Sequence, residues 1–145
     1  MQGVKRKVVY VTLYEAIAIA AASLGLVWMS GSGLVHSGVL AVASSAIAVV
    51  WNLAYNTAFE AWEARQPVRG RSALRRVAHA VGFEGGLALI LVPLFAWWLA
   101  VGLWEALLMD LGLLLFFLVY TYVFNWSFDR AFGLPASAAP APGAP

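Results

Sequence analysis

The chain has 145 residues, of which 63% are hydrophobic and only 11% are charged. A soluble domain of this size has about 45–50% apolar residues and about 25% charged ones, so the composition excludes an ordinary soluble domain and indicates a membrane protein. The formal charge of +2 does not indicate nucleic-acid binding, because the basic residues lie at the ends of apolar runs, and the absence of cysteine excludes disulfides and thiolate metal ligands.

Four apolar runs follow one another along the chain, and each exceeds the roughly 20 residues that a helix needs to cross the hydrocarbon core. They cover residues 8–29, 34–59, 77–100 and 103–128. The links within the first pair and within the second pair are very short, so each pair is predicted to form an antiparallel hairpin. The predicted fold is therefore an all-α membrane protein with four transmembrane helices.

The predicted organisation is a first hairpin over residues 1–65, a second hairpin over residues 66–133, and a disordered tail over residues 134–145, which is rich in Ala and Pro. All nine Lys and Arg residues fall before the first run, between the two hairpins, or after the fourth run. They therefore lie on one side of the membrane. By the positive-inside rule, that side is the cytoplasm and both termini lie inside.

The two hairpins align with each other at a constant offset of 69 residues and without a gap. Matches between polar and aromatic residues are the most informative, because such residues are rare in these runs. They pair Arg6 with Arg75, Glu15 with Glu84, Trp28 with Trp97, and Asn56 with Asn125. Since each unit has two helices, both units insert the same way up, and the chain is predicted to be a parallel repeat.

Glu15 and Glu84 are the only charged residues in the first and third runs. Each lies roughly 10 Å below the cytoplasmic edge at about 1.5 Å per residue, where a charge is costly. Such a carboxyl can exchange protons near neutral pH and can also pair with a cation. The alternative is a protonated glutamate that bonds a neighbouring helix. This alternative is stronger for Glu84, because His79 and the adjacent glycines Gly85 and Gly86 indicate a packed polar contact.

Further polar and aromatic side chains accompany the two glutamates. Asp110, on the fourth run, is a candidate second station on a proton or cation path, and Tyr14 offers an aromatic face that attracts organic cations. His79 either pairs with a carboxylate from another helix or is an interfacial polar residue, and the second role is favoured. Stripes at the cytoplasmic ends of the second and fourth runs could bind a guest or bond a neighbouring helix. Their members are Trp51, Asn52, Asn56 and Glu60, and Tyr120, Asn125 and Asp129.

Three motifs together resemble those of the proteobacterial antimicrobial compound efflux (PACE) transporters, over essentially residues 7–129. The motifs are Arg76-x-x-His79-Ala80-x-x-Phe83-Glu84-Gly85-Gly86, Trp51-Asn52-x-x-x-Asn56-x-x-Phe59-Glu60, and Tyr120-Thr121-x-x-Phe124-Asn125-Trp126-x-x-Asp129. The resemblance implies a tandem pair of bacterial transmembrane-pair hairpins in a bacterial inner membrane. It also implies proton antiport of cationic biocides such as chlorhexidine, of acriflavine-type dyes, and of short diamines.

The resemblance places the family's essential glutamate of the first helix on Glu15 and its counterpart on Glu84. It makes Arg76 and His79 structural or relay residues, and Phe83 part of the substrate contacts. The first helix departs from the family pattern of Arg, His and Phe before the glutamate, because Lys7, Tyr10 and Tyr14 stand there. A role for a first-helix histidine therefore does not carry over.

Two alternative functions remain open on the sequence. One is an exporter of the small multidrug resistance type, which also has four helices and a first-helix glutamate but lacks this repeat. The other is a non-transporting subunit whose buried polar residues bind a larger membrane complex. The sequence contains no nucleotide-binding loop and indicates no cofactor, no metal and no enzyme activity. Because four short helices form a small wall for a pathway, a homodimer is predicted.

Overall fold

The structure is a computed structural model that describes residues 2–68, residues 70–135 and residue 138. It contains four helices in the described residues and no strand. They are α1 (Gly3–Ser30), α2 (Leu34–Ala64), α3 (Ala73–Leu99) and α4 (Leu103–Phe132). All four are long and apolar enough to span a membrane, so the predicted all-α membrane class is confirmed. Most of the predicted disordered tail lies outside the described residues.

The helices form a ring in which each packs mainly against two others. Helix α1 packs against α2 and α4, and α3 packs against α2 and α4. The short links at residues 31–33 and 100–102 lie at one end of this ring, which we call the turn end. The opposite end holds the start of α1, the α2–α3 link and the end of α4, and we call it the linker end.

The buried apolar core lies in the turn-end half of the ring. Leu26, Leu40, Phe95 and Ala106 have at most 1% of their surface exposed, and one residue comes from each helix. Many large apolar side chains elsewhere point outward, as lipid-facing helices require. The turn end is therefore closed by apolar packing, and the linker half must be held together by other contacts.

Polar contacts organise the α2–α3 link. Arg71 donates two hydrogen bonds to the Glu63 carboxylate, from Nε to Oε1 and from Nη2 to Oε2, each at 2.9 Å. These bonds raise the pKa of the Arg71 guanidinium. The Ser72 side chain caps α3 by accepting a hydrogen bond from the Arg75 amide at 3.2 Å. The link therefore enters α3 through a defined cap.

The two tight turns have the same backbone geometry but different residues. The residue that caps the end of α1 is Gly31, with φ of 70°, and the residue that caps the end of α3 is Ala100, with φ of 52°. These positions are 69 residues apart, so they are equivalent in the repeat. The left-handed conformation suits Gly31, whereas the Cβ of Ala100 makes it unfavourable.

We expect Ala100→Gly to raise the free energy of unfolding by about 0.5–1 kcal/mol. Glycine adopts the left-handed conformation without the steric cost that alanine has there, and this gain exceeds the cost of the greater entropy that glycine gives the unfolded chain. Thermal unfolding of the protein in detergent measures the change. The mirror substitution Gly31→Ala should lower the melting temperature. A melting temperature that falls in Ala100→Gly would contradict the expectation.

Candidate substrate-binding cavity

A cavity of about 850 Å³ lies between the four helices. Residues at equivalent positions of the two hairpins line it from opposite sides. The pairs include Tyr14 and Phe83, Glu15 and Glu84, Ala18 and Leu87, Ala41 and Asp110, Ser45 and Leu114, and Asn52 and Thr121. The 69-residue offset found in the sequence therefore also relates the two walls of the cavity.

The two walls differ in the size of their side chains. The wall of the first hairpin is small and carries hydroxyls, through Ala18, Ala22, Ser44, Ser45 and Ala48. The equivalent positions of the second hairpin are bulky and apolar, and they are Leu87, Leu91, Leu113, Leu114 and Phe117. Most of the space for a guest is therefore on the side of the first hairpin, where Glu15 lies.

The same difference makes the two glutamates chemically unequal. Both are partly buried in the wall of the cavity. The Ser45 hydroxyl on α2 donates a hydrogen bond to Glu15 Oε2 at 2.8 Å. The residue equivalent to Ser45 is Leu114, which has no hydroxyl to offer Glu84. Glu15 is therefore oriented by a neighbour, while the described residues give Glu84 no such bond.

Hydrogen bonds join α1 to α4 at the linker end, and we call this line of contacts the α1–α4 seam. Tyr14 and Thr121 share a hydrogen bond between their hydroxyls at 2.8 Å, and Tyr120 donates from its hydroxyl to the carbonyl oxygen of Tyr14 at 2.9 Å. Nearer the end of the helices, Arg6 forms an ion pair with Asp129 at 2.5 Å. The Arg6 guanidinium also lies over the Phe128 ring. This seam fixes the segment of α1 that carries Glu15.

An equivalent seam joins α2 to α3. Trp51 Nε1 donates to the carbonyl oxygen of Phe83 at 3.0 Å, and His79 Nε2 lies 2.8 Å from Asn56 Oδ1. Trp51 and Tyr120 therefore make the same contact in the two seams, each with the carbonyl of the residue before a glutamate. His79 pairs with an amide here, and not with a carboxylate.

A close approach makes the Trp51 contact possible. Gly82 and Gly86 lie one helical turn apart on α3, and they face Tyr55 and Trp51 respectively. A Cβ added at Gly82 would overlap the Tyr55 hydroxyl, and one added at Gly86 would overlap the Trp51 ring. Gly85, by contrast, would meet open space. The glycines at positions 82 and 86 therefore let α2 approach α3 behind Glu84.

The structure divides the predicted site residues among three places. Seven line the cavity, and they are Glu15, Glu84, Asp110, Tyr14, Asn52, Phe83 and Asn125. Five form the contacts of the two seams, and they are Trp51, Tyr120, Asn56, His79 and Asp129. Glu60 and Arg76 are exposed at the linker end. Asn125 belongs to both groups, because it also accepts a hydrogen bond from the Tyr10 hydroxyl.

Sequence reasoning missed Ser44, Ser45 and Thr121 as individual cavity residues. Adjacent serines in the middle of an apolar run were the available signal for the first two. Within the described residues, no group of three or more His, Asp or Glu side chains could hold a metal ion.

Comparisons with known proteins agree with the motifs. The family model described as BTP, chlorhexidine efflux transporter, matches residues 2–65 and again residues 71–134. The starting points of the two matches differ by the repeat offset. No solved structure is significantly similar to the chain.

Curated relatives cover most of the chain. A short-chain diamines transporter of Acinetobacter baylyi is 34% identical over 125 residues, which are 86% of this chain and 88% of the relative. A short-chain diamines transporter of Vibrio parahaemolyticus is 35% identical over 124 residues, with the same two shares. A third, from Acinetobacter baumannii, is 33% identical over 132 residues, which are 87% of each chain.

These matches confirm the resemblance predicted from the motifs. A bacterial transporter family and four spanning helices make the chain a multi-pass protein of the inner membrane, and a transporter, not an enzyme. With two matches of the family model and relatives above 30% identity over most of its length, the chain belongs to the PACE family of efflux transporters.

Proposed function

We propose that this efflux transporter exports organic cations in exchange for protons, and that both compete for the carboxyl of Glu15. The observation that carries the proposal is the position of Glu15 in the wall of a cavity large enough for a small organic guest. Ligand cavities have volumes of about 300–1,000 Å³. A carboxyl in such a place either holds a proton or pairs with a cation, so its occupancy couples the two fluxes.

The cavity suits organic cations in composition as well as in volume. Apolar side chains make up most of its wall, while Tyr14 and Phe83 present aromatic rings and Glu84 and Asp110 add two further carboxyls. We therefore propose short-chain diamines, chlorhexidine-like biguanides and acriflavine-type dyes as substrates. The curated relatives are named for the first class and the family model for the second.

The direction of transport follows from the proposed orientation. The basic residues gather at the linker end, so this end is proposed to face the cytoplasm, with the tight turns outside. The substrate then enters from the linker end, which has fewer buried apolar contacts than the turn end. The apolar core of the turn end must separate, or the hairpins must tilt, to release the substrate outside.

Reconstituted protein tests the exchange. We expect liposomes with an acidic lumen to take up 1,5-diaminopentane faster when they contain the protein, and lumenal protons to leave at the same time. Radiolabelled diamine and a lumenal pH dye measure the two fluxes. Protein-free liposomes give the background from diffusion of the neutral amine. Diamine uptake at the background rate would contradict the proposal.

The proposed homodimer concerns the outer surface of the cavity wall. All four helices of one chain line the cavity, and exposed side chains such as Leu53, Leu118 and Tyr122 form part of that wall. The dimer remains a proposal, and the mass of the protein–detergent complex with and without diamine tests it.

A further inference from the structure

Asp110 is an acidic residue of the cavity whose equivalent in the other hairpin is not acidic. It lies in the second turn of α4 and lines the cavity together with Glu15 and Glu84. Its equivalent in the first hairpin is Ala41, which is 5% exposed and lines the same cavity. The wall is therefore a methyl group on one side and a carboxyl on the other.

Asp110 lies closer to the turn end than the two glutamates do. Counting along α3 and α4 from the tight turn between them, Asp110 and Glu84 differ in depth by about 12 Å at 1.5 Å per residue. The cavity thus has an acidic pair at one depth, Glu15 and Glu84, and a single acid further toward the turn end.

Asp110 has no partner among the described residues that would explain its presence. The described residues give it neither a hydrogen bond nor an ion pair. An Asp at the centre of a membrane helix costs about 2.5–3.5 kcal/mol on insertion scales, and Asp110, the eighth residue of the 30-residue α4, bears part of that cost. A structural role would compensate this cost with a partner in the chain, as Ser45 does for Glu15. A cationic guest would compensate this cost by pairing with the carboxylate, whereas an empty cavity leaves the carboxyl to take up a proton.

The cavity between the acids is apolar and contains one further unpaired group. Ala18, Ala22, Leu87 and Leu91 line this stretch. The Ser44 hydroxyl lies in the same wall, is shielded from solvent, and has no hydrogen-bond partner. The Ser44 hydroxyl is therefore available to hydrogen-bond a polar group of a bound guest.

We propose that Asp110 binds the second cationic end of a substrate whose first cationic end is at the Glu15–Glu84 pair. An aliphatic spacer then lies against the apolar stretch between them. Asp110 thereby makes the cavity select diamines over monoamines of the same carbon number. The inference deepens the proposed function and rests on it, since it assumes that this cavity is the transport site.

Amine binding to the purified protein tests the selectivity without relying on proton coupling. Calorimetric titrations compare 1,5-diaminopentane with 1-aminopentane, which has the same five-carbon chain and one charge. We expect the wild type to bind the diamine more tightly. Asp110→Asn should weaken diamine binding by about 10- to 100-fold, the effect of losing a hydrogen bond to a charged group. Monoamine binding should change by less than about 2-fold.

Two further variants complete the design. Asp110→Glu keeps the charge and should restore most of the diamine preference even if Asp110→Asn is poorly folded. Glu105→Gln removes an exposed acid of the same helix, outside the cavity, and should leave both affinities unchanged. An unchanged ratio of the two affinities in Asp110→Asn would overturn the inference, as would equal weakening of both amines. If the wild type prefers the diamine yet exchanges no protons, the proposed coupling fails and the inference stands.

Discussion

Glu15→Gln is expected to abolish the exchange of diamine for protons while leaving the protein folded in the membrane. The amide keeps the size of the side chain and still accepts a hydrogen bond from Ser45, but it can neither bind a proton reversibly nor pair with a cation. Diamine affinity should fall by about 10- to 100-fold, because a hydrogen bond to a charged group is lost. Flux assays in liposomes measure the exchange, and calorimetry measures the affinity.

Two matched variants separate the role of this carboxyl from a general loss of charge. Glu84→Gln changes the equivalent residue of the other hairpin, which has no hydroxyl partner, and is expected to reduce transport without abolishing it. Glu105→Gln changes an exposed acid of α4 and is expected to transport normally. Normal exchange by Glu15→Gln would contradict the proposed mechanism. If Glu15→Gln and Glu84→Gln lose transport activity equally, the two carboxyls act as one functional unit.

Hydropathy alone predicted the number and type of the helices, because a span in lipid must satisfy its backbone within one helix. The observed helices extend beyond the apolar runs into charged sequence at the linker end. Helix α1 begins at Gly3, before Lys5, and α2 continues to Ala64, beyond Glu60. Hydropathy marks the part of a helix that lies in hydrocarbon, whereas backbone hydrogen bonding continues until a cap or a break.

The sequence also indicated which faces carry polar residues, but not which neighbour each residue meets. Asn52 and Asn56 share one stripe of α2, yet Asn52 lines the cavity and Asn56 bonds His79 across the seam. The period of 3.6 residues places both on one face. The rotation of α2 relative to α3 decides their partners, and in that rotation Tyr55 and Trp51 approach Gly82 and Gly86 closely.

The repeat explains why the two halves of the site share contacts but differ in chemistry. Trp51 and Tyr120 hold equivalent carbonyls with different donor groups, an indole and a phenol. The backbone arrangement thus tolerates substitution in the seams. In the cavity, the same tolerance leaves the Ser45 hydroxyl bonded to Glu15 and a leucine, Leu114, at the equivalent position of the second hairpin. Two copies of one hairpin therefore contribute differently to the cavity. The wall of the first hairpin has small side chains and leaves space for a guest, whereas the wall of the second hairpin has large apolar side chains.

Gly86→Ala is expected to lower the free energy of unfolding by about 1–3 kcal/mol, the usual cost of inserting a methyl group into a packed contact. The new Cβ would overlap the Trp51 ring, so the ring must move and its hydrogen bond to the Phe83 carbonyl is lost. Because that carbonyl precedes Glu84, the distortion reaches the wall of the cavity, and diamine transport should fall with stability. Thermal unfolding and the fluorescence of the tryptophans measure the two consequences.

The neighbouring glycine provides the control for helix propensity. An alanine in a helix is favoured over glycine by about 1 kcal/mol, so this gain applies equally to Gly85→Ala and Gly86→Ala. Gly85 faces open space, and Gly85→Ala should therefore be neutral or stabilising, with normal transport. If the two substitutions change the free energy of unfolding in opposite directions, helix propensity cannot be the cause, and the close approach of α2 to Gly86 explains the difference. Adding Trp51→Leu to Gly86→Ala should recover part of the lost stability, because the smaller side chain leaves room for the new methyl group. Equal melting temperatures for Gly85→Ala and Gly86→Ala would contradict the prediction.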